Sequence, residues 1–135
     1  MPNKQYQHYR INTSDLLRLI PEFHLYGPGI RYGVEYEAHL QQWLQIGAHC
    51  HGYVTMYGHV AVGLVAVYND MSPDPHFPYE RLAQVAFTVV CPGWADVLLP
   101  LYKFMQSELR NVEVQAVTIS RQVSATEIRS KLHKL

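Results

Sequence analysis

The sequence predicts an α/β domain in which helices flank a mixed β-sheet, in the element order β-α-α-β-β-β-α-β-α. Three observations carry that expectation. Apolar residues alternate through residues 53–68, and the run is split by Gly58-His59, the pattern of an antiparallel hairpin. Residues 82–121 read as a near-continuous apolar strand, a glycine turn, an amphipathic helix and a second apolar strand, the pattern of a β-α-β crossover. The 135 residues are 48% apolar and 16% charged, which suits a single domain with its own core and excludes a disordered chain or a coiled coil.

The elements follow in order. Residues 6–11 alternate and predict a first strand. Thr13-Ser14-Asp15 opens a helix, with a hydroxyl as N-cap and Asp15 near the positive end; Leu16, Leu17, Leu19 and Ile20 form its apolar face and Pro21 limits it. Tyr26-Gly27-Pro28-Gly29 predicts a loop. A second helix spans 34–46, with Val34, Ala38, Leu40, Trp43, Leu44 and Ile46 inward and Gly47 as its stop. Strands at 53–57 and 60–68 form the hairpin. Residues 69–79, with three prolines and two aspartates, make a long surface loop. Residues 82–90 form a central strand. A helix over 94–109 contains Pro100 near its second turn, which predicts a kink or a late start. Residues 112–119 form a further buried strand. Ser124-Ala125-Thr126-Glu127 has the form of a capping box and predicts a final helix through Leu135.

Charge and cysteine usage bound the function. Eleven basic residues balance eleven acidic ones, so neither nucleic acid nor an anionic membrane is an expected partner. The longest apolar run, 60–68, is too short to span a bilayer. The two cysteines, Cys50 and Cys91, lie far apart and Met1 to Arg10 is polar, which predicts a reduced, cytoplasmic protein. Zero net charge gives little colloidal repulsion, and a protein partner or homo-oligomer is expected. His49-Cys50-His51 has a spacing that could hold a metal, but no third ligand on that face is legible, and no metal is expected.

Val54, Gly58, Val62-Gly63 and Val67, the strand ending Val90-Cys91-Pro92, and the strand–glycine turn–helix–strand unit together resemble the GNAT superfamily, the acyl-CoA-dependent N-acyltransferases. The likeness covers nearly the whole chain. It implies acetyl-CoA as cofactor, lying between the strands at 82–90 and 112–119. The family signature Q/R-x-x-G-x-G/A falls on Val90-Cys91-Pro92-Gly93-Trp94-Ala95, where Gly93 and Ala95 match and Val90 does not. The resemblance therefore implies that Gly93, Trp94 and Ala95 line the pyrophosphate turn, and that Phe87, Val89 and Val90 offer backbone groups to the pantetheine arm. A helix start with free N–H groups suits an anion. Asp96 in its first turn is expected to repel a pyrophosphate by on the order of a few kcal/mol. Glu80 and His76, beside the mouth of the central strand, are the candidate bases for an amine.

The family's general-acid pattern N-x-x-A-x-x-x-Y falls on Gln122, Ala125 and Arg129, so the tyrosine is missing. The usual C-terminal β-hairpin is expected to be absent as well. Two functions are thus open. One is an N-acetyltransferase with a degenerate pyrophosphate loop. The other is a non-catalytic structural or interaction protein of this fold, of the kind that occurs among bacteriophage virion components.

Overall fold

One six-stranded sheet organises the chain, with its strands in sequence order from edge to edge. The strands are β1 (Tyr6–Ile11), β2 (Cys50–Tyr57), β3 (Val60–Tyr68), β4 (Leu82–Val90), β5 (Ala116–Gln122) and β6 (Ile128–Lys134). The computed structural model describes residues 5–71, 75 and 77–135. Every neighbouring pair is antiparallel except β4 and β5, which run parallel through the crossover between them. The mixed sheet and its flanking helices agree with the expected fold class.

Helices cover both faces. Helices α1 (Thr13–Phe23), α2 (Pro28–Arg31) and α3 (Tyr36–Gly47) lie on one side, and α4 (Leu98–Asn111) lies on the other. The core is split accordingly. On the α4 side Leu101, Met105 and Leu109 bury against Tyr53, Val65, Val67, Ala83, Val85 and Val117. On the opposite side Leu16, Ile20, Phe23 and Trp43 bury against Cys50, Val54, Leu64, Ala66 and Val89. The alternation within β2 and β3 thus serves two half-cores, as expected for strands buried on both faces.

Local chemistry moves several boundaries. Asn12 caps α1, its Oδ1 accepting the Asp15 N–H at 2.8 Å, while Thr13 is inside the helix and donates its hydroxyl to the Cys50 carbonyl. Pro21 does not end α1; the helix continues to Phe23 and passes into a 3-10 turn at His24–Tyr26. The expected loop at Gly27 holds a one-turn helix with Pro28 at its first position, where its missing N–H costs nothing. Ala38 is exposed, and His39, Trp43 and Gly47 are the buried residues of α3. Pro100 falls in the first turn of α4, so the late start is the outcome. After α4, Glu113 adopts φ 65° and β5 begins only at Ala116.

The final helix is overturned. Residues 128–134 form β6, paired in register with β5 from Gln122↔Ile128 to Ala116↔Lys134. The Ser124 hydroxyl accepts the Thr126 N–H at 3.3 Å within a turn, and the Val123 N–H donates to the Glu127 carbonyl. The residues of a capping box here close a hairpin. Without β6 the long ladder of β5 would be an unpaired edge, and that pairing outweighs a local capping preference. A single strand thus follows β5 and pairs with it, where a helix was expected.

Candidate active site

β4 begins as an ordinary partner of β5 and then leaves it. Leu82, Ala83 and Gln84 pair with Ala116, Val117 and Thr118, and the register ends there. On the other flank β4 stays paired with β3, but Ala66 faces Phe87 while Val67 faces Val85, so Ala86 is an extra residue. This is a β-bulge, which bends a strand and increases its twist. It also reverses the side-chain alternation. Ala83 and Val85 pack on the α4 side, whereas Phe87 and Val89 pack on the α1–α3 side. The backbone of residues 85–90 is left with one ladder instead of two, and β4 and β5 splay apart at their C-terminal ends.

The splay opens a cleft of about 340 Å³, lined among others by Tyr68, Phe77, Gln84, Ala86, Ser120 and Ser130. The Ser120 and Ser130 hydroxyls lie 2.7 Å apart across the β5–β6 pair. The Tyr32 hydroxyl, just beyond α2, donates to the Val123 carbonyl at 3.3 Å and ties the helical side to the β5–β6 turn. Behind the cleft the Phe87 ring stacks on Trp43 with centroids 3.9 Å apart.

At the mouth of the splay stands the turn from β4 to α4. Gly93 has φ 84°, a conformation that favours glycine. The Trp94 N–H donates to the Cys91 carbonyl, the Val97 N–H to Trp94, and the Leu98 N–H to Ala95. Several amides at this helix start are therefore engaged inside the turn. Trp94 packs edge-on to Tyr6 and at 5.2 Å from Tyr57. The Tyr6 hydroxyl donates to Asp96 Oδ2 at 2.6 Å, and its pKa is pushed up to about 12 by desolvation and by the Asp96 carboxylate. Trp94 and Asp96 thus turn toward β1 and β2, which sequence reading could not anticipate because their partners lie some 40 to 90 positions away.

The remaining site residues divide. Phe87, Val89 and Val90 stand on the splayed half of β4, and Gly93, Trp94 and Ala95 lie in the turn above it. Glu80 is exposed at the opposite end of β4, its N–H donating to Gln115 Oε1, and it does not line the cleft. His76 lies outside the described residues. The His49-Cys50-His51 run is divided: His49 is exposed, Cys50 packs with α1, and His51 is buried between Asn69 Oδ1 at 2.8 Å and the Tyr53 hydroxyl at 3.0 Å. Among the described residues no group of three or more His, Cys, Asp or Glu could hold a metal ion. No described helix is long and apolar enough to cross a membrane.

Sequence reading missed the two histidines that line the seam between α1 and α3. His24 and His39 are buried, with Nδ1 atoms 3.2 Å apart. His39 packs at a tilt against Trp43, so a continuous file of rings runs from His24 through His39 and Trp43 to Phe87 on β4. The signal was present as spacing: His39 and Trp43 are i and i+4 on α3 and share a face.

A parallel pair splayed after a bulge, with a glycine turn and helix at its mouth, is the architecture of acyl-CoA N-acyltransferases, and the chain has the GNAT fold. A probable N-acyltransferase from Enterococcus faecalis superimposes with a TM-score of 0.66 at 10% identity, covering 87% of this chain and 29% of that one. An IAA acetyltransferase from Bacillus cereus gives 0.61 at 10% identity over 88% of this chain and 67% of its own. The PaiA N-acetyltransferase from Thermoplasma acidophilum, in complex with coenzyme A, gives 0.62 at 10% identity over 90% and 82%. No protein-family model matches the sequence. No curated protein matches it either.

Proposed function

We propose that the protein is an acyl-CoA-dependent N-acyltransferase. The single observation that carries this reading is the departure of β4 from β5 after Gln84, with the bulge at Ala86. An interior strand that forgoes half of its ladder leaves strong donors and acceptors facing a cleft, and such groups call for a partner. The amide-containing arm of a coenzyme A thioester has the complementary pattern. The cofactor would supply an activated acyl group as its thioester. The fit is good at Thr88 and Val90, whose backbone groups face the free flank of β4; Phe87 and Val89, in phase with the Cys91 N–H that donates to Val62, turn theirs to β3. It is poorer at the turn, where the Trp94 amide is already committed to Cys91.

The chain's own part is positioning. Gln84, Thr118, Ser120 and Ser130 present neutral donors and acceptors to the cleft, which suit a small polar amine. Tyr32 and the β5–β6 turn restrict that end of it. Rate then comes mainly from holding an amine against the acyl carbon. The superposition on solved acetyltransferases supports this reading.

The test is titration of acetyl-CoA by calorimetry, followed by thiol release assayed with a panel of primary amines. Heat of binding and amine-dependent thiol release are expected. Absence of both binding and thermal stabilisation at millimolar acetyl-CoA would sink the proposal, because a ligand that binds only the folded state must stabilise it.

A further inference from the structure

We propose that the anionic, nucleotide end of the cofactor rests on a basic ladder at the top of the β5–β6 hairpin, with Arg121 and Arg129 as its principal ligands. The inference rests on the acyl-CoA reading above. Its grounds are register and direction. Val117 and Ile119 pack with α4, and the β5–β6 register is unbroken, so Arg121 stands on that same face. Opposite Arg121 is Arg129, opposite Ile119 is Lys131, and opposite Val117 is His133. One face of the hairpin therefore carries two arginines, a lysine and a histidine in adjoining register positions.

The placement matches the cleft. Because β4 and β5 are parallel, the C-terminal end of β5, with Arg121, lies at the same end of the sheet as Gly93 and the start of α4. The Arg121–Arg129 pair thus stands across the splay from the turn where an anion is expected. Two like charges directly opposed on neighbouring strands repel one another. Glu127, 3.1 Å from Arg129, offsets one of them and leaves the face positive. The turn itself has spent the Trp94, Val97 and Leu98 amides on its own carbonyls. Two guanidinium forks supply donors in place of those three amides, and they suit phosphate in particular.

The test compares three probes by calorimetry: coenzyme A, adenosine 3′,5′-bisphosphate, and pantetheine, which has no phosphate. Arg121→Gln and Arg129→Gln are each expected to weaken coenzyme A and the bisphosphate by about tenfold, and to leave pantetheine unchanged. Binding of the first two by the native protein should also weaken with added salt. Arg18→Gln, at an exposed side chain of α1, serves as the control. Unchanged coenzyme A affinity in both hairpin variants overturns the ladder while leaving the acyltransferase reading intact. Arginine-dependent bisphosphate binding without acetyl transfer to any amine supports the ladder and defeats the acyltransferase reading. A native protein that binds neither phosphorylated probe overturns the ladder. Circular dichroism of each variant checks that it is folded.

Discussion

His24 and His39 face each other through their Nδ1 atoms at 3.2 Å, in a buried seam between two helices. A hydrogen bond between two imidazole Nδ1 atoms needs one ring with the proton and one without. Burial holds both below the usual histidine range, helped at His39 by the neighbouring His24 and opposed at His24 by Glu37. His24 Nε2 is buried without a hydrogen-bond partner among the described residues. Full protonation of the pair would set two N–H groups against each other.

The first prediction follows from that contact. A histidine lowered in the folded state binds fewer protons than the unfolded chain does. Its stabilisation is therefore complete above the unfolded value of about 6.5 and declines as pH falls through 6.5 toward the folded value. His51 and His8, also lowered by burial, act in the same direction. Urea unfolding at about pH 5 and about pH 7.5 should show the protein less stable in acid. His24→Phe keeps a ring at the seam and should flatten that dependence. An unchanged pH slope in the variant would remove the pair as its source.

A second prediction concerns Gly29. A methyl there would sit 2.6 Å from His39 Cδ2 and 2.8 Å from its Nε2. Glycine to alanine within a helix ordinarily gains about 0.5–1 kcal/mol. Here the obstacle is a rigid ring inside the aromatic file, and overpacking of that kind costs about 1–3 kcal/mol. Gly29→Ala should therefore lower stability in a denaturant titration; a gain would show that the seam yields easily.

The Tyr6–Asp96 contact gives a third. With the carboxylate replaced in Asp96→Asn, both the acceptor charge and its Coulomb effect on the phenol are lost. The Tyr6 pKa should fall from about 12 toward the ordinary value of about 10. Selectively labelled tyrosine carbon shifts followed by NMR, with Tyr6→Phe to assign the signal, would report it. A resonance that still titrates near the native value contradicts the contact.

The fourth prediction addresses how the cleft is supported. Trp43 and Phe87 stack at 3.9 Å with ring planes 24° apart, which joins α3 to β4 just after the bulge. Trp43→Ala should cost about 3–5 kcal/mol. A double-mutant cycle with Phe87→Leu should give a coupling of about 0.5–1.5 kcal/mol, the range for aromatic pairs. Purely additive losses would mean that the stack contributes area alone.

Much of the fold was legible because it is written in local periodicity. The strands at Tyr6–Ile11, Val60–Tyr68 and Leu82–Val90 are read directly from runs of apolar or alternating residues. The late start of α4 follows from Pro100, which removes a donor at a known place. Gly93 in the strand-to-helix turn was equally readable. The final segment misled for the same reason: Ser124 to Glu127 satisfies a capping rule over four residues, and no local rule registers the open edge of β5 that β6 fills.

The site was less legible, because it consists of departures from regularity. The bulge at Ala86 inserts one residue into a strand whose composition is uniformly apolar, so no local pattern marks it. Trp94 and Asp96 stand next to the glycine turn in sequence, yet they answer to Tyr6 and Tyr57 across the sheet. Sequence alone determined the mixed sheet, the crossover and the glycine turn, since these depend on propensity and on spacing of a few residues. Only the tertiary structure decided where β4 parts from β5, which residues face the cleft and which two arginines are opposed on the hairpin. Those features are set by strand register, and register depends on pairing between residues far apart in the chain.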